Sequence, residues 1–268
     1  MAHAKSPEIA KLFALAVDYK DKVPVWPYYS TPKLNGVRGL WIPGVGFMAR
    51  SGMPWVDGVL PHLESALKDV KLWVDGELYC HGMSLQDING IAGAARTTAH
   101  KDVEKIKFHA LDSPNIAAGF EIRQSKLQDA LSNVPHVELL PFKNANCCDY
   151  GNRHHETFVS MGYEGTVYKH PGSYLPGRTD MMIKRKAWQD DDFEVVRLIE
   201  GHGKYDGTLG AVLCKMPDGQ TFEVGCFKFD DTARHQIWLG PKPKTAKVKY
   251  LGLTDRGVPY NTTILLLD

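Results

Sequence analysis

Apolar residues recur along this chain at two spacings, and each spacing predicts a different element. Ile9, Leu12, Phe13 and Ala16 fall on one helical face. They follow Ser6-Pro7-Glu8, an N-cap with proline at the first helical position, so a helix is predicted over residues 6–18. Leu60, Leu63, Leu67 and Val70 predict a second helix over 59–70. Two more are predicted over 121–131 and 154–161, the latter closed by Gly162. Between Pro/Gly turns, short apolar runs predict strands at 36–42, 46–50, 72–79, 105–111, 137–142, 164–169 and 181–186.

At Gln189-Asp190-Asp191-Asp192 the texture changes. FEVVRLIEG, GAVLCKM, QTFEVGCF and KVKYLGL are short strand patterns joined by glycine-containing turns such as Pro217-Asp218-Gly219. About 80 residues of this kind suit a small β-barrel. The pattern therefore divides into a mixed α+β part, 1–188, and an all-strand part, 189–268. There is no internal repeat.

Composition narrows the function. The 268 residues are 43% hydrophobic and 24% charged, enough for one large or two modest cores. The formal net charge of +1 means that a polyanionic partner must meet local patches, not a global field. Such patches exist at Lys184-Arg185-Lys186 and at Lys242, Lys244, Lys247 and Lys249. Five cysteines without a CxxC pair point to free thiols in a reducing compartment. His154-His155-Glu156 fits no zinc spacing. No apolar run approaches the roughly 18 residues of a membrane span.

The chemistry concentrates in four segments. KLNGVR sets Lys33 just before a turn and a strand. An ordinary lysine has about one molecule in 2,500 neutral at pH 7, so a nucleophilic one must be aimed and its proton removed. WVDGELYC carries Asp75 and Glu77 inside an apolar strand, and YEGTVYKH carries Glu164 and Lys169. IKRK places Lys184 and Lys186 on one strand face. Charges within apolar strands are costly to bury without partners or a task.

In this order the segments resemble the covalent nucleotidyltransferases, specifically the small ATP-dependent DNA ligases of bacteria and phages. The resemblance covers most of the chain, including DDFEVVRLIEGHGKYDGTLGAV at the opening of the second part. It implies an adenylylation domain of antiparallel sheets with flanking helices, followed by an OB-fold barrel. It implies that Lys33 is adenylylated by ATP, with Arg38 beside it. Thr31, Arg50, Glu77, His109, Lys184 and Lys186 become nucleotide contacts, and Glu164 with Glu77 would hold Mg²⁺ or Mn²⁺. Arg50 and the lysines at 242, 244, 247 and 249 would meet nicked duplex DNA. The enzyme would act as a cytoplasmic monomer in a bacterial or phage-infected cell. NAD-dependent members carry an extra N-terminal domain, whereas about 30 residues precede Lys33 here, so ATP is expected.

The sequence departs from the family in three places. Asn35 replaces the aspartate of the lysine motif. KFHALD ends in Leu111-Asp112 where an aromatic residue normally stacks on adenine, which shifts stacking to Phe108 or His109 or replaces it with aliphatic contact. No arginine follows Arg256. Two alternatives therefore stay open: an RNA ligase or capping-type nucleotidyltransferase, and a nick-binding protein with impaired self-adenylylation.

Overall fold

The computed structural model describes residues 5–20, 22–254 and 256–268. These form two compact units, Met1–Lys186 and Ala187–Asp268.

The predicted first helix is the main departure from the sequence pattern. Ser6 caps α1 (Pro7–Ala10), accepting from the Ile9 N–H at 3.4 Å, but the helix ends after one turn. Residues Ala14–Asp18 instead form strand β1. Three of the four apolar residues that suggested a continuous helical face still pack together: Phe13 lies on Leu40, Ile42 and Met48, with Ile9 and Leu12 against them. An apolar face was present, but long-range pairing of β1 with a distant strand decided its backbone form.

The first unit continues with β2 (Tyr28–Lys33), β3 (Val37–Ile42), β4 (Gly46–Ala49), α2 (Pro61–Leu67), β5 (Val74–Tyr79) and α3 (Leu85–Ala92). Then come β6 (Lys107–Asp112), α4 (Phe120–Leu131), β7 (Val137–Leu139), β8 (Lys143–Ala145), α5 (Cys148–Ser160), β9 (Gly165–Lys169) and β10 (Gly177–Lys186). They make two five-stranded sheets of order β1-β10-β9-β2-β8 and β4-β3-β5-β6-β7. Pairing is antiparallel except for β1 with β10 and β6 with β7. Leu60 and α2 residues Leu63 and Leu67 join Ile88 of α3 and Leu127 of α4 in the main core, against Val74, Leu78 and Phe108. The helix α3 was not predicted, although Ser84 caps it by accepting from the Asp87 N–H at 3.1 Å.

The second unit contains β11 (Gln189–Glu200), β12 (Leu209–Lys215), β13 (Thr221–Gly225), α6 (Asp231–Leu239), β14 (Thr245–Tyr250), β15 (Gly252–Leu253), β16 (Pro259–Tyr260) and β17 (Thr263–Leu267). Its main sheet is antiparallel, of order β13-β12-β11-β14-β17. Phe193, Val195, Val212, Phe222, Val224 and Val248 fill its separate core. The predicted strands are present, and α6 is added, capped by Asp230 on the Ala233 N–H at 2.8 Å.

Candidate active site

Strand register brings the sequence-predicted lysines together. Lys33 at the end of β2 and Lys186 at the end of β10 both pair with Gly165 of the central strand β9. Gly165 has φ +147°, and a Cβ there would lie 2.1 Å from the Arg185 carbonyl oxygen. Only glycine permits this backbone in so close a packing. It places Glu164 between the two lysines. Lys33 Nζ donates to Glu164 Oε2, and Lys186 Nζ lies 2.8 Å from Glu164 Oε1. The Glu164 side chain is only 5% exposed, so the carboxylate is satisfied by cations instead of water.

A second layer comes from β3 and β5. Arg38 donates from Nε and Nη2 to the two carboxylate oxygens of Asp75, each at 2.6 Å. Asp75 is fully buried. Burial disfavours the Arg38 guanidinium, but Asp75 more than offsets this and holds its pKa above the ordinary value. Glu77 faces Arg38 across the β3–β5 ladder and accepts from the Gly36 N–H at 2.9 Å. A Cβ on Gly36 would lie 2.3 Å from the Leu78 carbonyl oxygen, which explains a glycine three residues after Lys33. Burial raises the Glu77 pKa; Arg38 and Lys33 oppose it, and Glu164 adds to it. Lys184 belongs to the same field: burial lowers its pKa, Asp18 opposes, and Lys186, Arg178 and Lys33 lower it further. Cations thus crowd around Lys33, as binding of a polyphosphate would require.

Known proteins resemble this chain in sequence and in fold. A model for the DNA ligase OB-like domain matches residues 200–264. A DNA ligase of Haemophilus influenzae is 25% identical over 248 residues, 88% of this chain and 85% of that protein. A DNA ligase of African swine fever virus is 30% identical over 172 residues, 58% of this chain but 39% of the viral protein. Among solved structures, a Lig E DNA ligase superposes with a TM-score of 0.81 at 23% identity, covering 96% of this chain and 98% of that one. Chlorella virus DNA ligase-adenylate superposes at 0.53 and 20% identity, covering 96% of each chain. Most of the chain is thus similar in sequence to a bacterial DNA ligase, and its fold is that of solved DNA ligases.

The remaining predicted residues are more scattered. Thr31 is buried, and its hydroxyl donates to the Val167 carbonyl at 3.2 Å, so that proton stays within the sheet. Arg50 is exposed in the turn after β4. His109 pairs with Glu77 across β5 and β6, and its ring meets Tyr79 edge-on at 5.5 Å. Burial lowers its pKa, although Glu138 opposes this. Phe108 is a correction. It is fully buried, packed edge-on against Phe47 at 5.0 Å, and cannot stack on a bound base. In the second unit, Lys247 pairs with Asp190 at 3.1 Å, Lys249 lies 5.0 Å over the Trp188 ring, and Lys242 donates to the Val196 carbonyl. These lysines meet partners of their own unit, a pairing that the basic run did not reveal.

Sequence reading also missed a charge network behind the site. Asp112 accepts from Arg123 Nε at 2.7 Å and Nη2 at 3.2 Å, and lies 3.6 Å from Lys169 Nζ. Lys169 donates to the Leu111 carbonyl at 2.6 Å. Asp112 and Lys169 had appeared only within motif strings, and their partners lie too far along the chain for spacing to reveal.

The donor set also bears on a metal. Mg²⁺ takes hard oxygen ligands, typically one or two carboxylates completed by substrate phosphates. Glu164 and Glu77 supply two such carboxylates near Lys33. Among the described residues no group of three His, Cys, Asp or Glu side chains could hold an ion by itself. The residues therefore fit a cation that arrives with a nucleotide.

Proposed function

We propose that the chain seals 5′-phosphate/3′-hydroxyl nicks in duplex DNA, using ATP and a lysyl-AMP enzyme intermediate. The observation that carries this reading is the level arrangement of Lys33, Glu164 and Lys186 around Gly165. The Lys33 ammonium must lose a proton before its nitrogen can attack phosphorus. Glu164 is the carboxylate within hydrogen-bond reach of that proton. As the new N–P bond forms on the α-phosphate of ATP, the P–O bond to pyrophosphate breaks. Lys184 and Lys186 neutralise phosphate oxygens, and Glu77 with Glu164 would hold the Mg²⁺ that accompanies them. That ion supplies charge neutralisation, the main demand of phosphoryl transfer. AMP next passes to the 5′-phosphate of the nick, and the 3′-hydroxyl then displaces it. Thr31 and His109 are assigned to the nucleoside, and Arg50 to the nick phosphate. Lys242, Lys244, Lys247 and Lys249 are assigned to the duplex backbone. The chain works as a monomer in the cytoplasm.

The test is sealing of matched nicked duplexes of DNA and of RNA, each with ATP or NAD. Sealing of the DNA duplex with ATP is expected. Sealing of the RNA duplex alone would replace the substrate, and activity with NAD alone would replace the nucleotide.

A further inference from the structure

Arg38 owes its orientation to more than Asp75. The Tyr174 hydroxyl, in the loop between β9 and β10, donates to Asp75 Oδ2 at 2.9 Å. The Tyr174 hydroxyl oxygen in turn accepts from the Ala14 N–H, at the start of β1, at 2.8 Å. Tyr174 therefore uses both roles of its phenol. Through Asp75, one side chain ties the β9–β10 loop and the first strand to the guanidinium. The loop is itself anchored, since the Gly172 carbonyl accepts from Arg123 Nη1 at 2.9 Å. Burial, and then the Asp75 charge, hold the Tyr174 phenol well above its ordinary pKa, so it remains the donor at any working pH.

We propose that Tyr174 is a positioning residue for Arg38: its hydroxyl fixes the Asp75 carboxylate, and with it the plane and direction of the guanidinium presented to the reacting phosphates. The two bonds to Asp75 use two of the five guanidinium N–H groups, leaving three for phosphate oxygens. Those three are aimed only if the Asp75 carboxylate cannot rotate. Asp75 has no solvent to hold it, being fully buried. Arg38 alone leaves it free to turn with the guanidinium, and Tyr174 is the third point that stops the pair. A misplacement of this kind is a rate effect out of proportion to the bond removed.

The kinetic part of this inference rests on the ligase reading; the spectroscopic part does not. Tyr174→Phe is expected to lower kcat for nick sealing by about tenfold with KM for ATP nearly unchanged. In an Arg38→Gln background the same substitution should have no further effect. Full additivity of the two losses would overturn the proposal, because a merely structural tyrosine would weaken both backgrounds alike. In the free protein, the Arg38 Nε–H should give a sharp, slowly exchanging nitrogen-resolved resonance that Tyr174→Phe broadens. An unchanged resonance would overturn the proposal whether or not the protein ligates. Should Tyr174→Phe fail to fold, 3-fluorotyrosine at position 174 keeps the ring and hydroxyl while changing the acidity of the donor. It should move the Arg38 Nε–H resonance, and no movement would again overturn the proposal. If the parent neither labels with AMP nor seals nicks, the ligase reading fails while the resonance experiment still decides this one.

Discussion

Glu164, Asp75 and Asp112 in the first unit and Arg234 in the second are all buried charges, but they are satisfied in different ways. In the first unit carboxylates meet cations: Glu164 with Lys33 and Lys186, Asp75 with Arg38, and Asp112 with Arg123 and Lys169. In the second unit Arg234 donates to the carbonyls of Leu209 at 2.8 Å and Phe229 at 3.0 Å, and also to that of Cys226. It also lies 4.4 Å from the centre of the Tyr205 ring. Acid–lysine pairs there, such as Lys247 with Asp190 and Lys215 with Glu194, are on the surface. A cation caged by carbonyls closes loops and needs no ligand. Buried ion pairs stabilise little for the charge they hide, but breaking one leaves an uncompensated charge inside. The buried pairs of the first unit, including the one at Lys33, are therefore where substitutions should hurt most.

The largest effect should follow from breaking the pairs at the site itself. Glu164→Ala leaves Lys33 and Lys186 without their shared carboxylate and should slow AMP labelling by at least about 100-fold. Excess Mg²⁺ should not rescue it, and near-parent labelling would remove Glu164 from the site. Asp112→Asn tests the network behind. Unpairing Arg123 and Lys169 should cost about 3–5 kcal/mol in urea unfolding. A loss below about 1 kcal/mol would place that network among the dispensable charges.

Asp112 also predicts an acid limb of stability. Burial alone would raise its pKa, but Lys169 and then Arg123 overcome this and bring it below the ordinary value. The unfolded carboxyl, near pH 3.9, therefore takes up its proton first as pH falls. The contribution is complete above that value and disappears as pH drops through the lower folded pKa. His155 acts over a higher range. Burial, and then Arg185, bring its pKa down to about 4. Between about 6.5 and 4 the unfolded chain binds a proton that the folded chain refuses, so stability falls with pH in that window. His155→Gln should flatten the slope there, and an unchanged slope would assign the effect elsewhere.

The smallest effect belongs to the second unit's surface. Lys247→Ala should leave the unfolding midpoint within experimental error, because an exposed pair is screened and contributes little. If Lys247 contacts a phosphate, the substitution should instead reduce the slope of log affinity against log salt by about one for DNA binding. An unchanged slope would confine Lys247 to its pair with Asp190.

Much of the site was legible because its motifs sit on strands whose neighbours are fixed by apolar alternation. KLNGVR, DGE, EGTVYK and IKRK fall at β2–β3, β5, β9 and β10, and alternation alone put Lys184 and Lys186 on one face. The first helix misled because Ile9, Leu12, Phe13 and Ala16 satisfy a helical spacing, while the winning interaction is a parallel pairing of β1 with β10, more than 150 residues away. Tyr174 was invisible for a similar reason. Its partners Asp75 and Ala14 lie 99 and 160 residues distant, and SYLPGR carries no spacing that announces a buried hydroxyl. The lysines of PKPKTAKVK were read as a free patch because a strand sequence does not disclose that QDDD lies opposite on β11.

AMP labelling tests whether Lys33 is the nucleophile that Glu164 and Lys186 hold ready. The protein is incubated with α-labelled ATP and Mg²⁺, the acid-labile label is mapped by peptide, and the parent is compared with Lys33→Ala. One AMP is expected on the peptide containing Lys33 in the parent and none in the variant, which should still close some nick supplied already adenylylated. Normal labelling of Lys33→Ala, or a label mapping to another residue, would contradict it.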